Sequence, residues 1–242
     1  MIDLQHLHDN ETRLYSIHYS CESLNDTNEG ISPRVTSICI YHIPTKATHS
    51  FAIHLEAEIL GLKHSEVPSR YDECEKNMLV KFFDYLKSNP NNIYLHWNMR
   101  NAVYGFEALE HRYRVLTKSE PFIIPDSNKR NLNDIFQRKY CQDYVSHKRM
   151  IKLMELNGGF PKDFIDGAKE AEAFKKGEFI KLFNSTSDKA KWISWMYQKS
   201  LEGSLIVEKS GFYQKTVAIF DSTAYKVLGF LGILASIISL FK

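Results

Sequence analysis

The stretch Ile93-Tyr-Leu-His-Trp97 is apolar almost without interruption and follows the turn-forming Ser88-Asn-Pro-Asn-Asn92. A strand without a solvent face belongs inside a sheet covered on both sides, as parallel strands are in α/β folds. Its neighbours read as the covering layers. From Tyr71 to Ser88, Cys74, Met78, Phe82 and Leu86 recur at helical spacing, with Leu79 and Phe83 as a second apolar row. After the run, Ala102, Phe106, Leu109, Tyr113 and Leu116 form the inner stripe of another helix, and Glu107, Glu110 and Arg114 face away from it.

Three segments rich in β-branched and aromatic residues come earlier, at residues 14–20, 35–41 and 48–54. Between the second and third, His42-Ile-Pro-Thr-Lys-Ala47 carries a proline unsuited to a central ladder, so the sequence predicts a hairpin turn there. A hairpin sheet followed by helix, strand and helix implies an α/β core with a mixed sheet. Beyond Pro125 the periodicity predicts helices over 131–140, 147–157, 161–173, 177–183 and 188–202, separated by Gly158-Gly159 and Asn184-Ser-Thr-Ser187. The expected organisation is one α/β domain over residues 1–203, a connector over 204–224 holding a strand or an exposed hairpin, and a hydrophobic tail helix over 225–242.

In that tail, residues 227–241 are uncharged and apolar between Lys226 and Lys242. At ~1.5 Å per helical residue the run covers ~22 Å against a hydrocarbon core of ~30 Å, a marginal span helped by snorkelling lysines. Gly229, Gly232, Ser236 and Ser239 form one small-residue stripe of the kind that lets membrane helices approach closely. Two readings follow: a membrane anchor, or a helix for self-association.

Composition bounds the rest. A formal net charge of +2 excludes a strongly basic nucleic-acid coat while leaving room for a local basic patch. Cys21, Cys39, Cys74 and Cys141 are far apart and show no CxxC pairing, so neither a zinc site nor a disulfide scaffold is indicated, and a reducing compartment fits. The opening Met-Ile-Asp-Leu-Gln-His lacks the order of a secretory signal. The expected location is the cytoplasm, at the inner face of a membrane. No GxSxG, HExxH or Gly-rich phosphate loop is present. His42, His49 and His54 lie near the hairpin, but alternate strand residues point apart and do not share a metal unaided. Glu107, Glu110, His111, Arg112 and Arg114 read as a solvated helix face, and so does the mixed-sign segment from Lys162 to Lys181.

Three short motifs remain. The first strand ends in Ser20-Cys21-Glu22-Ser23, the buried strand runs into His96-Trp97-Asn98-Met99-Arg100-Asn101, and a helix begins at Asn131-Leu-Asn-Asp134. With the element order, these resemble the ribonuclease H-like fold, specifically the 3′–5′ exonuclease branch, over residues 14–202. That branch uses four carboxylates and two metal ions. Its first strand ends in Asp-x-Glu-Thr, so Glu22 persists as the candidate catalytic acid and Ser20 replaces the aspartate. Asn101 stands where its second motif has an acid, and Asp188 comes too early in the last helix, without the family's histidine. Two metal ions ~4 Å apart need several carboxylates to offset their charge. The resemblance therefore implies a fold kept and a metal centre lost, with no metal ligands and no cofactor. Mg or Mn would enter only if the chain were an active nuclease.

The carboxyl edge of a buried strand is where open α/β sheets place ligands. There Asn98, Arg100 and Asn101 suit a phosphate or a base edge, Trp97 and Tyr104 suit stacking, and Ser20, Glu22 and His96 complete the expected ligand-binding set. Structural roles compete with each: Asn101 as a helix cap, Trp97 and His96 as core residues, Arg100 as a solvated charge. The expected function is noncatalytic recognition of nucleic acid or a nucleotide, tethered by the tail, in a setting such as bacterial defence against phage. The alternatives are an active metal-dependent nuclease and a structural partner of a membrane complex.

Overall fold

The computed structural model describes residues 2–22, 33–100 and 103–209; Asn101 and the tail over 225–242 lie outside them. The chain divides into two units, Met1–Ile135 with Gly159–Leu205, and Phe136–Gly158 with Ile206–Lys242. In chain order the elements are α1 (Ile2–Asp9), β1 (Leu14–Cys21), β2 (Val35–His42), β3 (Thr48–Ala52), α2 (Ile53–Ile59), α3 (Tyr71–Ser88), β4 (Ile93–His96), α4 (Phe106–Thr117), β5 (Lys129–Asn131), α5 (Leu132–Lys139), α6 (Arg149–Leu156), α7 (Gly167–Lys175) and α8 (Phe179–Leu201).

The first unit is α/β, built on a five-stranded mixed sheet of order β3-β2-β1-β4-β5. β2 runs antiparallel to β1 and β3, β4 runs parallel to β1, and β5 parallel to β4. Alternation along β1 assigns its two faces. Ile17 and Tyr19 join Ile38, Ile40, Met78 and Phe82 in the apolar core under α3. Ser16 and Ser20 point the other way, toward α8: the Ser16 hydroxyl donates to the Ala190 carbonyl at 2.7 Å. On α3, Met78, Leu79, Phe82 and Leu86 are buried, each worth roughly 1.5–3 kcal/mol relative to exposure. That row, more than helix propensity, fixes α3 on the sheet.

Several expected boundaries need correction. The third strand ends at Ala52, and Ile53, Glu56 and Ala57 are buried at helical spacing, so His54 belongs to α2 instead of a strand. Lys81 of α3 closes over the buried Glu56 at 2.7 Å. α4 starts at Phe106, four residues later than its apolar stripe suggested. β5 has no counterpart among the expected strands. α7 begins at Gly167 instead of 161, where the Asp166 carboxylate accepts from the Lys169 amide at 2.9 Å as an N-cap. α8 runs straight through Asn184-Ser-Thr-Ser187, which is no separator: Ser185, Thr186 and Ser187 are buried inside the helix, and the Ser185 and Thr186 hydroxyls find polar partners. Among the described residues no helix is long and apolar enough to cross a membrane.

In the second unit, the rings of Phe136, Tyr140 and Tyr144 lie within 6.3 Å of one another. Asn157 pairs with the backbone of Ile206 in both directions at 2.9 Å, and Glu208 accepts from the Ser146 amide at 2.7 Å. These bonds hold the first residues of the expected connector.

Candidate functional site

The carboxyl end of β1 is distorted by a register shift between Ser20 and Cys21, a bulge that re-aims the side chains there. Ser20 is 2 % exposed, and its hydroxyl donates to Glu170 Oε1 at 2.8 Å. Thr186 donates to Ser20 at 2.8 Å, and Ser37 lies 2.8 Å from Thr186. Because each hydroxyl has one proton, a consistent order is Ser37 to Thr186 to Ser20 to Glu170. Lys189 closes the chain with its ammonium 2.7 Å from the same Glu170 oxygen and 5.1 Å above the Phe164 ring. A buried cation is thus neutralised by one carboxylate and a file of hydroxyls that polarise one another. Beside it, burial and then the Lys189 charge push the His18 imidazole well below its ordinary pKa, so the ring is neutral at pH 7.

Glu22, two residues on, faces elsewhere. One oxygen accepts from the Arg34 amide at 2.8 Å and the other from Arg34 Nε at 3.0 Å. Arg34 in turn lies over Tyr71 and Phe174, at 5.1 and 4.8 Å from the ring centres. Among the described residues no hydrogen bond joins Glu22 to His96, Asn98 or Arg100.

β4 leads into the other half of the edge. His96 is buried against Phe106, and its Nδ1 accepts from the Met99 amide at 3.2 Å; burial pushes its pKa down to about 3. That nitrogen is occupied and the ring uncharged, as expected of a core histidine. Trp97 is 6 % exposed and meets Trp192 edge to face at 5.4 Å, so its ring offers no open face for a base. Tyr104 stacks on Tyr19 at 4.6 Å and donates to the Tyr19 carbonyl at 3.1 Å, which commits this ring to the protein as well.

Asn98 and Arg100 are placed differently. Asn98 sits at φ 55°, and its side-chain oxygen accepts from Asn131 and Asn133 at 3.2 Å each. The Asn98 backbone amide in turn donates to the Asn131 side-chain oxygen at 3.0 Å. Three asparagines thus tie the ends of β4 and β5 to the start of α5. Arg100 reaches Asp134 at 2.8 Å with half of its side chain exposed. The structure therefore gathers Asn98 and Arg100 at the β4–β5 edge and puts Ser20 in a separate, closed network; Glu22 belongs to neither.

The chain matches no protein-family model and no curated protein. Its site is read from geometry. A two-metal centre of the kind that the exonuclease branch uses does not fit the described side chains. Glu22 is bound by Arg34, Ser20 by Glu170, and an ammonium already neutralises Glu170. Among the described residues no group of three or more His, Cys, Asp or Glu side chains is placed to hold a metal ion. Glu170, Lys189 and Asn133 were not singled out from sequence. A signal for the first two existed: Ser16, His18 and Ser20 put polar groups on one face of a buried strand, which demands polar partners opposite.

The backbone at Asn98 offers a separable test. Asn98→Ala removes two side-chain bonds and forces a Cβ residue without asparagine's tolerance into the left-handed region, at a cost of about 2 kcal/mol. Asn98→Gly loses the same bonds but keeps the conformation cheap, and should cost about 1 kcal/mol less in urea denaturation. Equal losses would show that the amide cluster, not the backbone, governs this turn.

Proposed function

We propose that this chain is a degenerate ribonuclease H-like domain that recognises nucleic acid or a nucleotide without cleaving it, held at a membrane or to its own copies by the tail over 225–242. A mixed sheet in which an antiparallel meander is extended by two parallel strands, with helices on both faces, supports the fold part of this reading. The observation that carries the noncatalytic part is the Ser20–Glu170–Lys189 network. Where an acid pair would hold metal, the Ser20 hydroxyl and the Lys189 ammonium both bind the Glu170 carboxylate. Recognition is assigned to the β4–β5 edge, where Arg100 keeps half its side chain in solvent beside the asparagine cluster. A guanidinium there matches a phosphate in bidentate fashion, and exchanging Asp134 for phosphate costs little because the pair is exposed.

The test is a titration of the full chain with single- and double-stranded DNA and RNA, at two salt concentrations and with magnesium or manganese. Wild type should bind without cleaving. Arg100→Ala should bind about tenfold more weakly, with a salt slope reduced by about one, and with an unchanged circular dichroism spectrum. Metal-dependent cleavage abolished in Glu22→Gln would replace this reading with an active nuclease. Absence of binding in wild type would favour a structural partner of a membrane complex.

A further inference from the structure

Away from the β4–β5 edge, α2, the loop at 162–165 and the first turns of α8 enclose a groove of about 770 Å³. Its floor is apolar, with Ala57, Leu62, Val67, Ile165 and Phe179 among its lining residues. Ile180 lines it too and is 61 % exposed, so the apolar surface continues to the mouth. The volume lies in the range of sites that enclose small organic ligands.

One buried polar atom in this lining has no hydrogen-bond partner. His54 packs at 4.9 Å from the Phe183 ring, and its Nδ1 is buried with no hydrogen-bond partner. No hydrogen bond among the described residues engages Nε2 either, and His54 lines the groove. Burial lowers the His54 pKa and the nearby Glu58 only partly opposes it, so the ring is neutral at pH 7 and presents a single hydrogen-bonding nitrogen. The charges of the rim are close to balanced: Lys181 is tied to Glu178 at 2.7 Å, which leaves Lys162 against Glu58 and Asp163. Nothing in that balance favours a ligand anion.

We propose that the groove is a binding site for an uncharged, largely apolar small molecule carrying one hydroxyl, which pairs with His54 Nε2. A hydroxyl both donates and accepts, so it suits either tautomer of the ring. The site is independent of the β4–β5 edge and of any nucleic-acid binding there.

The experiment uses 1-naphthol, naphthalene and 1-naphthoate as probes in calorimetric or fluorescence titrations of the full chain. Wild type should bind naphthol about tenfold more tightly than naphthalene, the weight of one good hydrogen bond, and naphthoate more weakly than naphthol. His54→Phe keeps the ring against Phe183 and should erase the naphthol advantage while leaving naphthalene binding unchanged. Ile180→Glu, at an exposed position that does not endanger folding, should weaken both uncharged probes several-fold. No binding of any probe to wild type, a preference for naphthoate, or a naphthol advantage that survives His54→Phe would each overturn the proposal.

Discussion

Arg112→Met is expected to destabilise the first unit by about 3–5 kcal/mol, read from the urea midpoint at constant slope. Glu75 on α3 is wholly buried, and Arg112 on α4 clasps it with a fork, Nε to Oε1 at 2.9 Å and Nη2 to Oε2 at 2.6 Å. The Val35 amide donates to the same carboxylate at 2.7 Å, so this one acid joins a helix, its neighbour helix and the start of β2. Without the guanidinium a carboxylate is left in the core with one neutral donor. The double variant Glu75→Gln/Arg112→Met should recover most of the loss, because a glutamine oxygen still accepts from Val35 and no charge remains buried. Burial already raises the Glu75 pKa, with Arg112 opposing it, and the single variant removes that opposition. A folded-state pKa above the unfolded one means that the native state binds the extra proton, so stability falls as pH rises. The Arg112→Met penalty should therefore shrink from pH 7 toward pH 5. A penalty below 1 kcal/mol, or one independent of pH, would show that water reaches Glu75.

Lys189→Met should cost about 3 kcal/mol by the same measurement. This is the lower end of the range for a broken buried pair, because Glu170 keeps some exposure. Methionine fills much of the volume, so the loss reports the stranded Glu170 carboxylate more than a cavity. Adding Glu170→Gln should restore stability while keeping an acceptor for Ser20. A second readout is magnetic resonance of His18. Burial is the main cause of its depressed pKa and Lys189 the second, so the variant should titrate His18 at higher pH without bringing it to the ordinary value. An unshifted His18 would mean that the ammonium is screened from it.

Elements with clean periodicity are legible in the sequence. The α3 boundaries at Tyr71 and Ser88 follow from its double apolar row, and the buried strand at 93–97 from its lack of a polar face. β5 was not legible because Lys129, Arg130 and Asn131 are half-buried polar residues whose strand geometry comes from pairing with β4. The sequence predicts two helices where α8 is one, because Ser185, Thr186 and Ser187 turn inward. A helix that meets a hydroxyl-bearing strand face carries polar residues on its buried side, which reverses the usual pattern. The same reversal hides Glu170, which reads as part of the solvated face from Lys162 to Lys181 although a strand 150 residues away in sequence supplies its partner Ser20. Of the eight residues expected to bind a ligand, the structure leaves Asn98 and Arg100 at an accessible edge; Asn101 lies outside the described residues, and the other five are engaged within the protein.

The span between α8 and the strands it covers bears on how the chain comes to fold during synthesis. Ser16 meets Ala190 across 174 residues, and Thr186 meets Ser20 across 166. Contacts of such separation close large loops and form slowly. On the ribosome, the meander of β1 to β3 can emerge and pair long before α8 exists, with its serine-bearing face waiting for a cover. In that interval, a face of hydroxyls and one histidine is better tolerated by water than the isoleucine face beneath α3, whose partner arrives within the next fifty or so residues. The polar underside of the sheet thus gives the nascent chain a surface that can stay wet until α8 is made.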